Sequence, residues 1–249
     1  GSWTYFGADL AYHFQKAENA DELIDIWGAD HAGTVKRIKA AVAALTGGKK
    51  KFDVKLVQMV RLLKNGEPFK MSKRAGNFVT LADIVDEVGK DAVRFTMLTR
   101  KADAQMDFDF AKVVEASRDN PVFYVQYAHA RIASLKRKLA EAGVAAAEPD
   151  TARLDDHELG LVKLLAQFPR TVEAAALARE PHRIAFYLAD AAAAFHAWWN
   201  LGNDRPDARV IMANDPELTA TRLYLADGIG QVIRNGLHLM GVEAVEEMN

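Results

Sequence analysis

The sequence predicts an α/β segment running to roughly residue 115, followed by an all-α helical bundle. Two observations carry that expectation. Strand and helix patterns alternate through the first third of the chain. Helical periodicity then takes over, and no convincing strand follows Phe110.

In the first third, Ala8 to Ala17 reads as a helix. Glu22 to Trp27 alternates apolar and acidic side chains, as a half-buried strand does, and Gly28 closes it. Val35, Ile38, Val42 and Leu45 recur at spacings of three and four, so 31–45 is expected to be helical, with Gly47-Gly48 ending it. Asp53 to Leu63 is rich in Val and Leu and is expected to form one strand, with Asn65-Gly66 as its turn. Strand, helix, strand over this distance is the βαβ pattern of a parallel sheet.

Leu81 to Val88 reads as a short helix, with Thr80 as its N-cap and Gly89 beyond its end. Asp91 to Thr99 is another. Val122 to Ala142 is a long amphipathic helix whose apolar face carries Val125, Ala128, Ile132, Leu135 and Leu139. Asp155 with Glu158 forms a loose capping box, since Asp stands in place of Ser or Thr. Pro169 and Pro181 divide the next region into separate helices, the second spanning His182 to Trp199. Gly202 to Asp215 is a polar loop, and Pro216 to Met240 is the last helix. These elements suggest two domains, 3–115 and 116–249.

Composition sets outer bounds. The chain has 249 residues, half of them hydrophobic, enough for a sizeable core. It has no cysteine, which excludes disulfides and thiolate metal sites. No apolar run approaches a membrane span, so no membrane partner is expected. The formal net charge is −2, so any contact with nucleic acid must come from local basic patches. Gly1-Ser2 reads as a cloning scar. The expected setting is cytoplasmic.

The most informative run is Lys70-Met71-Ser72-Lys73, on a stretch bounded by Gly66, Pro68 and Gly76. Glycine and proline on both sides make it a loop. Two close ammonium groups on a loop can hold a polyphosphate and neutralise charge that builds at an α-phosphate under displacement. A solvated basic turn is the alternative reading of the same residues.

The run resembles the KMSK loop of class I aminoacyl-tRNA synthetases, and the flanking segments resemble the arginyl-tRNA synthetases in particular. Thr4 to His13 is similar to the segment that lines the family's arginine pocket. Trp27 to Gly33 is similar to its nucleoside-binding turn. Val57 to Leu62 leads into the loop as it does there. Ser117 to Ile132, with Asn120 to Arg131 as the most specific block, resembles the opening of the family's C-terminal anticodon-binding bundle, the DALR domain. Gln231 to Met248, read as a final helix, resembles that domain's close. The implied fold is the C-terminal part of a Rossmann-like catalytic domain followed by a DALR-type bundle.

The resemblance implies roles. Lys70, Ser72 and Lys73 are the catalytic candidates, with Lys70, Met71 and Lys73 facing ATP. Tyr5 and Asp9, four apart at a helix start, share one side and can grip a guanidinium. Taken alone, the two residues read as a helix cap and a core-edge tyrosine. Asp30 can take ribose hydroxyls or a substrate amine, or cap the helix that follows it. His31 either touches the nucleoside or is a helix-start histidine. For tRNA the candidates are Trp199, Asn200, Asn203, Arg131 and Met248. Adjacent Trp198 and Trp199 cannot face the same way. Trp199 is the better platform for an unpaired base, and burial of both is the competing reading. Arg131, Lys136, Arg137 and Lys138 form a basic helix face, suited to an RNA backbone or simply to solvent.

The implied activity is arginine activation by ATP, with Mg²⁺ accompanying the ATP, and transfer to tRNA(Arg). No protein-bound metal is expected. His31-Ala32-Gly33-Thr34 lacks the second histidine of the class I HIGH signature, so half of the ATP site is expected upstream of Gly1 and the isolated chain is expected to be inactive. Two rivals remain. One is another class I synthetase such as the cysteinyl type, whose zinc thiolates have no counterpart here. The other is a non-catalytic RNA-binding helical module.

Overall fold

The computed structural model describes residues 4–69, 80–117, 119–141 and 147–248. The order of elements is α1 (Tyr5–Asn19), β1 (Glu22–Gly28), a 3₁₀ segment (Ala29–Thr34), α2 (Val35–Leu45), β2 (Lys51–Val57), β3 (Val60–Lys64) and β4 (Glu67–Pro68). Then come α3 (Leu81–Val88), α4 (Lys90–Leu98), β5 (Met106–Asp109), α5 (Phe110–Val113) and α6 (Pro121–Glu141). The chain ends with α7 (Asp156–Leu165), α8 (Phe168–Ala178), α9 (His182–Asp204) and α10 (Pro216–Leu239).

The chain forms two compact units. The first comprises residues 1–61 and 101–107. Its centre is the parallel pair β1–β2, in register from Glu22 opposite Lys51 to Gly28 opposite Val57. Parallel strands need a crossover, and α2 supplies it. Ile38 and Val42 of α2 and Val54 of β2 are its buried core, flanked by Phe6 and Leu10 of α1.

The second unit comprises 62–100 and 108–249. Its core is larger and runs through α4, α6, α7, α8, α9 and α10, with Phe95, Val125, Leu188, Phe195 and Ile233 fully buried. The compact units therefore do not follow a 3–115 and 116–249 division. Phe95 packs in the bundle core, and Arg94 Nε donates to the carbonyl of Met240 at 2.8 Å, which ties α4 to the end of α10.

Two strand expectations are corrected. Asp53 to Leu63 is two strands rather than one. β2 stays in ladder with β1 to Val57, and the next N–H, that of Gln58, donates to the carbonyl of Ala102. β3 then lies in a separate three-stranded sheet of order β4–β3–β5. β5 itself follows the basic loop, where only helices were expected. The final helix stops at Leu239, so most of the Gln231–Met248 stretch beyond that point is not helical.

Capping follows the sequence closely. Thr80 and Asp83 form a reciprocal capping box on α3, and Asp155 with Glu158 forms one on α7. Asn65 and Gly66 have φ of 56° and 82°. That left-handed pair makes the two-residue β3–β4 turn, which favours Asn-Gly because both central residues need positive φ.

Candidate functional site

In the first unit, α1 begins at Tyr5, one turn ahead of Asp9. Tyr5 is 95% exposed, so the reading of a core-edge tyrosine does not hold. Asp9 is exposed as well. At the far end of β1 the backbone turns through Gly28 into the 3₁₀ segment. A Cβ on Gly28 would lie 2.5 Å from Asp30 Oδ1, so glycine lets the carboxylate fold back over the turn. Asp30 does not cap a helix: Gly28 is the N-cap residue and no side chain caps the segment. Asp30 and His31 are both exposed, 3.6 Å apart, and the His31 ring meets Trp27 edge-on.

The α1 and β1 elements are joined by a buried carboxylate. Asp25 is 8% exposed. His13 Nε2 donates to its Oδ2 at 2.7 Å and Lys16 Nζ donates to its Oδ1 at 2.6 Å. Burial pushes the Asp25 pKa up, but the hydrogen bonds from Lys16 and His13 outweigh it and hold the carboxyl below its ordinary value. The other ring nitrogen, His13 Nδ1, donates to the Asp9 carbonyl at 2.7 Å.

Lys70, Met71, Ser72 and Lys73 lie outside the described residues. The turn that precedes them is well defined. Asp109 accepts from Asn65 N at 3.1 Å, Gly66 N at 2.6 Å and Ala111 N at 3.0 Å. Burial raises the Asp109 pKa, and these three backbone donors outweigh it, so the carboxyl sits below its usual range.

In the bundle, Trp198 and Trp199 take opposite roles. Trp198 is 2% exposed and its Nε1 donates to Glu158 Oε1 at 3.3 Å. Trp199 is half-buried, packed against the core at its edge beside Arg131, whose guanidinium lies 5.1 Å from the indole centroid and 4.7 Å from the Tyr127 ring. Arg131 Nη2 also donates to the Tyr127 hydroxyl at 2.9 Å. The His196 ring stacks on Tyr127 at 5.5 Å. An open cleft of about 660 Å³ is lined by Tyr127, Arg131, Lys138, Trp199, Ile211 and Met248 among others. A smaller one of about 210 Å³, also lined by Trp199 and Ile211, takes in Asn203 and Arg209. An arginine and aromatic side chains at the wall of an open cleft are the side-chain types that stack on and hydrogen-bond an unpaired base.

Of the five tRNA candidates, the larger cleft thus gathers Arg131, Trp199 and Met248, and Asn203 lines the smaller. Asn200 is exposed and lines neither. The basic face is only partly available: Lys136 pairs with Asp227 at 2.8 Å and Arg137 with Glu247 at 3.3 Å.

Tyr127 is a cleft residue that the sequence reading gave no role, and buried His196 stacks behind it. Helical spacing held the signal. Tyr127 and Arg131 are four apart on α6, while His196, Trp199 and Asn203 step by three and four along α9. The wall around Ile211 had no such signal. Buried Arg222 makes it, donating to Glu158 Oε1 at 2.6 Å and to the carbonyls of Asp207 and Arg209 at 2.8 and 2.7 Å. Those bonds hold the segment after α9 against the bundle.

Residues 125–248 match the DALR anticodon binding domain family. Across its whole length the chain is 72% identical, over 252 aligned residues, to the arginine–tRNA ligase of Novosphingobium aromaticivorans. The similarity to arginine–tRNA ligases thus runs the whole length of this chain. It is also 58% identical over its whole length to the arginine–tRNA ligase of Parvibaculum lavamentivorans. It spans 43% and 44% of the length of those two relatives, less than half of each. A solved Campylobacter jejuni structure described as an arginyl-tRNA synthetase matches all of this chain and 53% of its own, at 34% identity and a TM-score of 0.85. The Thermus thermophilus arginyl-tRNA synthetase matches all of this chain and 50% of its own, with a TM-score of 0.81 at 24% identity, which speaks to the fold alone. The architecture is thus a partial Rossmann-like α/β portion with a DALR anticodon-binding bundle. No helix among the described residues is long and apolar enough to cross a membrane.

Proposed function

We infer that this chain is the KMSK-bearing and anticodon-binding part of an arginine–tRNA ligase that works in the cytoplasm. Its whole-length similarity to such ligases carries the reading, and the DALR match across the bundle supports it. In this reading ATP, with Mg²⁺, activates arginine to an adenylate, and the arginyl group passes to the terminal ribose of tRNA(Arg). Such chemistry rests on positioning and charge stabilisation rather than on a protein nucleophile. Lys70 and Lys73 stabilise charge on the phosphates, with Met71 against the nucleotide and Ser72 orienting the loop. Tyr5 and Asp9 hold the guanidinium, and Asp30 and His31 meet the amine and the nucleoside. Arg131, Trp199, Asn203 and Met248 meet the anticodon loop, with Asn200 at its edge.

In this reading the chain by itself binds tRNA without aminoacylating it. ATP–pyrophosphate exchange with tRNA(Arg) present is the test. The purified chain is expected to give background exchange while retaining tRNA(Arg) in a binding assay. Robust exchange by the chain alone sinks the claim of inactivity, and failure to retain any tRNA sinks the binding role.

A further inference from the structure

Tyr5 and Asp9 sit on α1, and Asp30 and His31 sit past the end of β1. The two groups therefore belong to different elements, and their spacing depends on how α1 lies on β1. β1 is held along its full length by its ladder with β2. α1 has no ladder. Phe6 and Leu10 pack it against the small core, and apolar contact of that kind chooses the buried face without a directional bond.

The polar link supplies what packing lacks. Asp25 stands in the middle of the β1 ladder, opposite Val54. Its two oxygens take separate donors from successive turns of α1: Oδ2 from His13 and Oδ1 from Lys16. His13 then reaches back with Nδ1 to the carbonyl of Asp9 itself. The His13 ring is thus a rigid strut between a fixed strand and the residue expected to face the guanidinium. The ring is buried and braced edge-on by Phe52 of β2 and by Tyr12. Two oxygens engaged by two donors set both the height and the rotation of the helix.

We propose that Asp25, His13 and Lys16 are positioning residues for arginine, a latch that aims Tyr5 and Asp9 from a helix otherwise held by apolar packing alone. The inference rests on the assignment of Asp9 to the arginine guanidinium. Loss of the latch displaces α1 and leaves the ladder-held end of β1 in place, so recognition of arginine suffers and recognition of ATP does not.

The test is steady-state exchange kinetics in a ligase in which this chain replaces the aligned span of the Novosphingobium aromaticivorans relative. Asp25→Asn and His13→Phe are expected to raise KM for arginine about tenfold while KM for ATP stays within about twofold. Lys16→Met is expected to give a smaller rise, and Lys16→Arg to return KM for arginine to its starting value. Arginine and ATP constants that rise together with a falling Tm mean a merely structural role and overturn the proposal. So does an unmoved KM for arginine in folded variants. If His13→Phe does not fold, Asp25→Asn and the two Lys16 variants decide. Asp9→Ala separates the layers: an unchanged KM for arginine there removes the substrate assignment, whereas a raised one beside silent latch variants refutes the latch alone.

Discussion

Asp25 in the first unit and Glu158 in the second are both buried carboxylates, and they are used differently. Asp25 lies at the boundary between α1 and β1, against a buried core of only Ile38, Val42 and Val54, and Lys16 on its rim remains partly open to water. Glu158 lies at the centre of a large helical core, 1% exposed, with Arg222, Trp198 and the Asp155 N–H as its donors. Taking a charge out of water is costly unless each of its oxygens finds a donor. Glu158 meets that condition inside the bundle, so its network is part of the fold. Asp25 meets it where two elements abut, so its network governs how those elements are aimed. The lesson is that a buried ion pair takes its role from what its ends are attached to.

The largest expected effect breaks the bundle side of this comparison. Glu158→Ala strands the Arg222 guanidinium and the Trp198 N–H, and chemical denaturation is expected to show a loss of about 3–5 kcal/mol. A loss below about 1 kcal/mol, within the range of exposed pairs, means that the pair is not structural.

The tryptophans sharpen the contrast between fold and surface. Trp198→Ala is expected to cost about 3–5 kcal/mol of stability, as large buried aromatics do. Trp199→Ala is expected to cost clearly less stability than Trp198→Ala and to weaken tRNA binding by about 1–3 kcal/mol, the range for one base stacked on an aromatic side chain. A reversed pattern would mean that the indole of Trp199 serves packing and the cleft is not a base platform.

The smallest effect concerns acid. The Asp25 pKa is held below its ordinary 3.8 in the folded chain. Its contribution to stability is therefore fully present above pH 3.8, the unfolded value, and is lost as pH falls through the lower folded value. Lys16→Met removes one of the donors responsible, so stability measured across that acid range should depend less on pH than in the parent chain. An unchanged acid profile would show that Lys16 does not hold the carboxyl ionised.

Local signals were legible where local energetics decides. Thr80 and Asp155 cap because a side-chain oxygen three residues ahead of a free N–H needs no tertiary partner. Asn65-Gly66 turns because its φ values exclude most other residues. The break at Gln58 was hidden, because its N–H is claimed by Ala102, far away in sequence. β5 was hidden by its length, although Met106 and Phe108 are buried on either side of exposed Asp107, which is a short strand's alternation. At the candidate sites, Arg131 and Trp199 were found from residue type and resemblance. Asp25, Glu158 and Arg222 were not, since nothing local distinguishes a buried carboxylate or guanidinium from the many exposed ones.

By itself the sequence determined the α/β-then-α order, the caps, the Asn-Gly turn and the residues that carry the resemblance to arginyl-tRNA synthetases. Each of these depends on a residue's own conformational preference or on neighbours within a helical turn. Only the tertiary structure decided which tryptophan is core, which cations stay free of carboxylates, and which acids link one element to another. Those outcomes depend on pairs such as Glu158 with Arg222 and Asp25 with His13, whose energies come from burial and exist only once distant segments have met.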